Sequence, residues 1–226
     1  MRSRSTTGAF TLFAVSALAL AGCAHRRPSV DTYFPLAVGN EWTYDVFGGA
    51  AGARSETFRI ASQKPGDRGE TRYELDGVED RYYVRAPEIV ALAVSVGIWT
   101  VMLHGPLDLG RRFAGGLTSN EGFRVVGETE DAILAQRVDQ EMLPIPQSGY
   151  KVVTSLSRDV TVPAGVFHDC LEISHVAGPV IGVKYFAPRV GLVMSEAWVE
   201  RDGKRSMLSR QVLTRYHLSP ASQESR

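Results

Sequence analysis

The sequence predicts an all-β domain of about ten to twelve antiparallel strands. Three observations predict it. Apolar and polar residues alternate over short runs, two Asp-Gly pairs lie between such runs, and no long segment carries helical periodicity. Of the 226 residues, 44% are hydrophobic and 22% charged, so there is apolar material for one real core.

The strands follow in order. "EWTYDVF" (41–47) places Trp42, Tyr44 and Val46 on one face. "RSETFRIASQ" (54–63) puts Phe58 and Ile60 together, and the "GGAAGA" before it reads as a hairpin loop. "TRYEL" (71–75) passes through Asp76-Gly77 into 78–85, and 191–200 passes through Asp202-Gly203 into 205–216. Asp-Gly between two such runs is a strong hairpin signal. Further strands are expected at 88–95, 98–104, 122–128, 131–138, 150–162, 166–176 and 181–187. Ile89 to Leu103 is the most apolar stretch; its β-branched residues point to two buried strands meeting near Gly97 rather than a membrane helix. A short helical turn is expected at Leu117 to Asn120 or at Asp139 to Leu143, and a disordered tail over 218–226.

One pattern occurs twice. "PLAVGNEW" (35–42) and "PLDLGRRF" (106–113) both read Pro-Leu-x-aliphatic-Gly-x-x-aromatic, and "PRVGLV" (188–193) is a looser echo. A ligand loop has no need of the pattern twice; strand entry does. Pro35 and Pro106 suit a strand start, Gly39 and Gly110 a turn, and Trp42 and Phe113 then pack inward.

The amino terminus carries an address. Arg2 and Arg4 form a positive region, Gly8 to Ala19 is apolar but too short to span a bilayer, and "LAGC" ends at Cys23. This resembles the bacterial lipobox, which implies cleavage before Cys23 and acylation of its thiol. Residues 1–22 are then a lipoprotein signal peptide, and 23–31 the lipidated cysteine and its tether. Residues 32–217 are a single β domain. Several acyl chains on one residue give stable anchoring. Ala24, rather than Asp, after the cysteine favours the outer membrane by analogy with enterobacterial sorting, the domain facing the periplasm. Two of the 25 basic residues lie in the leader, leaving 23 against 25 acidic ones, so no nucleic-acid partner is expected. Cys170 is the one other cysteine, which excludes a disulfide scaffold.

"DVTVPAGVFHDCLEI" (159–173), "KYFAPRVGLVMSE" (184–196) and "YFPLAVGNEWTY" (33–44) together resemble the TapB-like group of bacterial envelope lipoproteins. His168-Asp169 departs from the spacer common there. The resemblance implies a strongly curved antiparallel sheet or open β-barrel, and no established activity. A two-sheet sandwich is the alternative. Without the family, Pro163 and Gly165 break a strand so that Val166 to Ile173, with Phe167, returns as its partner. Pro188 ends a strand, and Val190-Gly191 opens the last hairpin.

Chemistry is sparse. The sequence holds no Gly-x-Ser-x-Gly elbow, P-loop, His-x-x-x-His pair or Cys-x-x-Cys. His25 and His217 lie near the ends of the mature chain, and His104 closes an apolar strand. His168, Cys170 and Glu172 would share one face of a regular strand, with Phe167, Leu171, Ile173 and His175 on the other. A nucleophile or metal cluster there competes with a plain buried thiol beside solvated polar residues, and the second reading is preferred. Glu79-Asp80, Glu128, Glu130-Asp131, Asp139 and Glu141 read as hairpin tips. Tyr44, Tyr82 and Tyr83 read as core or cross-strand packing rather than a groove. No catalytic residue, metal or cofactor is expected. The leading expectation is a membrane-anchored, non-enzymatic scaffold or partner-binding lipoprotein. The alternative is a carrier of an apolar, lipid-like ligand in the concave face of the sheet. An enzyme is the third reading.

Overall fold

The computed structural model describes residues 28–48, 52–66, 69–77, 81–86, 89–95, 98–114, 116–118, 123–128, 132–137, 142–146, 150–177 and 180–220. The leader, Cys23 and residues 221–226 lie outside them. Among the described residues, one helical turn, α1 (Val30–Tyr33), precedes sixteen strands. The first half holds β1 (Glu41–Gly48), β2 (Arg54–Pro65), β3 (Thr71–Leu75), β4 (Tyr82–Ala86), β5 (Ile89–Ser95), β6 (Ile98–His104), β7 (Arg112–Ala114) and β8 (Gly116–Thr118). The second holds β9 (Phe123–Glu128), β10 (Ala132–Arg137), β11 (Met142–Pro146), β12 (Tyr150–Val162), β13 (Gly165–Ala177), β14 (Val180–Ala187), β15 (Gly191–Arg201) and β16 (Lys204–His217). No described helix is long and apolar enough to cross a membrane.

Thirteen strands form one antiparallel sheet in the order β7-β12-β13-β14-β15-β16-β1-β2-β3-β4-β5-β6-β8. The strands β9 to β11 form a separate three-stranded sheet. The two ends of the large sheet are β7 and β8, which are one residue apart in the chain. Ala114 pairs with Tyr150 of β12, and Gly116 pairs with Thr100 of β6. Two edges that meet in one short segment make the sheet a nearly closed barrel, with β7 and β8 acting as one of twelve staves. Closure removes the exposed edges that a long open sheet would present. The expected all-β curved sheet or open barrel is thus observed.

The alternation expected for β1 is observed: Trp42, Tyr44 and Val46 are buried in the barrel interior. Trp42 Nε1 donates to Val190 O at 2.6 Å, and Tyr44 OH donates to Leu192 O at 2.9 Å. These carbonyls lie beyond Met194, where the β15–β16 pairing ends. Two aromatic side chains there supply donors that a neighbouring strand supplies elsewhere.

The sequence echo is a structural echo. In the first copy Asn40 N–H donates to Ala37 O, Gly39 N–H to Ile60 O, and Ile60 N–H to Asn40 O. In the second, Arg111 N–H donates to Asp108 O, Gly110 N–H to Val153 O, and Val153 N–H to Arg111 O. Gly39 and Gly110 have φ of 90° and 80°, which a side chain would strain. Val38 and Leu109 occupy the outer corner of each turn and are exposed, while Trp42 and Phe113 are buried. Strand entry accounts for the whole pattern. The looser third copy differs: its turn runs from Ala187 to Val190, with positive φ at Arg189 and Gly191, and joins β14 to β15.

The other turns follow their residues. Asp202 and Gly203 both have positive φ, at 51° and 70°, as a tight two-residue hairpin demands. Pro163 and Ala164 link β12 to β13, with Val162 opposite Gly165 and Val160 and Val162 buried. Ala164 N–H reaches Leu213 O of β16, and Phe167 packs near Tyr216, so this long hairpin curls across the barrel end. Three register shifts along β12 permit that curl.

Two expectations are corrected. Residues 117–118, given to a possible helical turn, belong to β8, and 142–143 belong to β11, because pairing with neighbours outweighs weak local preference. The last residues of the expected tether are inside the fold. Ser29 caps α1, its side chain accepting from Thr32 N–H, and Val30, Tyr33 and Phe34 are buried. The Phe34 ring lies 5.0 Å from Tyr83, 5.9 Å from Phe186 and 6.2 Å from Trp42. Three strands on different sides of the barrel thus meet on one ring, which plugs this end of the interior. Arg85 pairs with Asp31, Arg189 N–H donates to Thr32 O at 2.5 Å, and Tyr33 OH donates to Asp169 O at 3.2 Å.

Trp42→Ala is expected to cost about 3–5 kcal/mol, from the cavity and the unpaired Val190 carbonyl, read as a lower urea midpoint. An unchanged midpoint would remove Trp42 from the core.

Candidate functional site

The structure separates the polar trio on β13. Cys170 is fully buried in the core cluster. Its thiol faces Phe167 O at 3.6 Å, and burial, then Asp159 and Asp169, pushes it up to about 11. His168 is exposed and its Nδ1 lies 2.9 Å from Asp159 Oδ1. Glu172 turns the other way: Arg158 Nε donates to Oε2 at 2.7 Å, and Thr154 Oγ1 to Oε1 at 2.8 Å. Asp169 has φ 54° and the β12–β13 register shifts beside it, so strict alternation fails. Cys170 and Leu171 are both buried as a result. A protonated thiol under the sheet, a solvated histidine and a carboxylate already held by arginine do not converge on a reacting atom. Among the described residues, no group of three His, Cys, Asp or Glu is placed to hold a metal ion.

A different set of residues is brought together. Partners in an antiparallel ladder share a face, so the registers across β12 to β16 define rows on the core side of the sheet. Nearest the plug, Leu171, Phe186 and Leu192 make an apolar row. The next row reads Val153, Ile173, Lys184, Ser195 and Gln211. The one after it reads Lys151, His175, Gly182, Ala197 and Ser209. Apolar filling therefore gives way, within two rows, to two lysines, a histidine and small side chains.

Lys151 is 1% exposed and its Nζ donates to Val101 O across the seam between β12 and β6. Burial, and then the neighbouring Lys184, holds its amine well below the usual lysine range. Lys184 is half-buried, and burial lowers it too. Among the described residues Lys184 has neither a hydrogen-bond nor an ion-pair partner. At Gly182 an added Cβ would lie 3.8 Å from His175 Cβ and 3.4 Å from Glu196 O, ordinary contact distances, so the glycine is the smallest filling of the wall beside His175. Sequence reading missed this set because neither lysine stands in a motif. The available signal was a lysine at an inward position of an otherwise alternating strand, in "YKVVTSL" and "VIGVKYF".

The outer face of the same strands carries a second feature. Tyr150, Val176, Ile181, Trp198 and Met207 are cross-strand neighbours over five consecutive strands. They form an apolar row at the barrel end remote from Phe34. Met207 is 53% exposed, and Leu208 next to it is exposed as well. Scattered surface apolar residues are ordinary; a continuous row of this length is a candidate contact surface. The acidic hairpin tips Glu79-Asp80, Glu130-Asp131, Asp139 and Glu141 lie outside the described residues.

Two outcomes are expected here. Cys170 in the folded chain resists thiol reagents at pH 7.5 and reacts within the dead time in denaturant; rapid labelling of the native chain would contradict its burial. Lys151→Met removes the charge penalty and leaves Val101 O without this donor, so its melting temperature relative to the native chain is expected to be highest near neutral pH. A lysine lowered on folding destabilises the fold fully below its folded pKa, and the penalty fades as pH rises to the unfolded value near 10.4. The variant's melting temperature relative to the native chain should therefore fall from pH 7 to pH 10, which paired thermal melts measure.

No protein-family model matches the chain, and no curated protein matches it. Among solved structures it is similar to an inferred exported protein with a YmcC-like fold from Bacteroides fragilis, at 15% identity and TM-score 0.39, over 83% of this chain and 99% of that one. It is also similar to an inferred lipoprotein from Parabacteroides distasonis, at 12% identity and TM-score 0.38, over 82% and 98%. At these scores the likeness assigns the chain neither a family nor an activity.

Proposed function

We propose that the chain is a non-enzymatic lipoprotein of the bacterial envelope, anchored through Cys23, which binds a partner protein with its outer face. The TapB-like resemblance implies an envelope lipoprotein and no established activity. The observation that carries it is the row Tyr150, Val176, Ile181, Trp198 and Met207. The buried Val30 supports the geometry. Seven residues link it to Cys23, a reach of at most about 25 Å, so the plugged end stays near the bilayer. The apolar row then lies at the end facing away, where an envelope partner has access. The outer membrane, periplasmic side, is the location this reading favours.

The interior supports a second reading, a carrier. An apolar floor beside a polar, small-residue mouth suits an amphipathic ligand better than a neutral apolar one.

The anchor and the contact face are tested separately. Cys23→Ser is expected to move the chain from the membrane fraction to the soluble fraction and to abolish the acyl mass on the mature amino terminus. A photo-crosslinker at position 207 of the anchored chain is expected to give one discrete envelope adduct, lost on Trp198→Glu. Equal labelling from position 207 and from the exposed hairpin position 204 would overturn the contact face.

A further inference from the structure

We infer that the barrel interior holds an oxyanion site, in which Lys184 and Lys151 receive a carboxylate or phosphate group beside Gly182 and His175. The inference deepens the carrier reading and rests on it. Geometry carries it. Lys184 and Lys151 stand in adjacent inward rows, on either side of β13, with Ile173 and His175 between them. Lys184 stands close enough to lower Lys151, and a buried amine without a counter-charge opposes folding unless something of opposite charge joins it. Lys184 has no such partner among the described residues. The nearest inward carboxylate in the register, Glu56 opposite Tyr44, is already paired with Arg54 at 2.6 Å.

The wall beside the amines is built of small residues. Gly182, Ala197 and Ser209 follow one another from His175, and Ser195 adjoins Lys184 in the next row, where the rows nearer the plug carry Phe186, Leu192 and Leu213. Small residues and hydroxyls next to two ammonium donors make a receptor for oxygen atoms: lysine supplies three donors each, and serine completes the shell. The apolar rows below accept whatever hydrocarbon the anion carries. An acyl carboxylate and a free phosphate share the head-group chemistry and differ in that hydrocarbon.

The test is equilibrium dialysis against the full-length, anchored chain in phosphatidylcholine nanodiscs, with empty nanodiscs as the blank. The probes are radiolabelled octanoate, inorganic phosphate and neutral octanol. Saturable binding of octanoate or phosphate at one per chain is expected, weakened at least tenfold by Lys184→Met and kept by Lys184→Arg. Octanoate alone identifies an acyl carboxylate as the ligand; phosphate alone identifies the phosphate group. Lys151→Met should weaken the same binding while the fold, followed by circular dichroism, survives. Octanol binding as well as octanoate, with no effect of either variant, would overturn the oxyanion site and keep the carrier. Binding of none of the three probes would overturn both.

Discussion

Closure of the sheet is the constraint on which the structure depends. Residues 112–114 finish one edge against β12, and residues 116–118 finish the other against β6. The outer strands of the large sheet are therefore each covered over three residues, which shortens the open flank a long curved sheet would present. The second Pro-Leu-x-aliphatic-Gly turn makes this possible. By docking Gly110 and Arg111 on Val153 it delivers Phe113 into the core and aims the following strand along β12. The first turn performs the same service for β1 on Ile60. One local device, used at two places, sets the start of the barrel wall and its seam.

A nearly closed barrel of this strand number has an interior to fill, and the chain fills it unevenly. At one end Phe34 joins Tyr83, Phe186 and Trp42, and α1 is fixed by backbone and ionic contacts to three strands or turns. That end is a packed core. Toward the other end the inward rows carry lysine, histidine, glycine and serine instead of aromatics. The amino-terminal plug would couple the proposed Cys23 anchor to the fold through the aromatic cluster around Phe34.

Much of the barrel was legible in the sequence, for physical reasons. Alternation in β1, the Asp-Gly hairpin at 202–203 and the breaks at Pro163 and Pro188 are local signals, and local signals survive into the structure. The duplicated turn was legible because Gly39 and Gly110 answer a backbone requirement that few other residues meet. What escaped was set by distant partners. The three-residue strands β7 and β8 have no pattern of their own and exist because β12 and β6 lie beside them. The plug escaped because "SVD" (29–31) reads as the end of a tether, whereas Ser29 caps α1 and Val30 is buried. The trio on β13 was placed on one face by a strict period of two, which the positive φ of Asp169 breaks. The lysine pair escaped because 33 residues separate two amines that only the β12–β13–β14 register unites.

The lysine pair also bears on why the interior is not simply completed with leucine. A barrel stabilised throughout by apolar packing would gain by replacing Lys151 and Lys184, since amines held below their ordinary range are a penalty at neutral pH. Lys151 has a structural task at the seam, where it satisfies Val101 O. Lys184 has no such task among the described residues, and its neighbours Gly182 and Ser195 are small. Sites that bind are commonly the places where a fold gives up stability for chemistry. The core near Phe34 shows what this sequence does when stability alone decides. The contrast between the two ends of one interior is therefore the physical ground for reading the open end as a site.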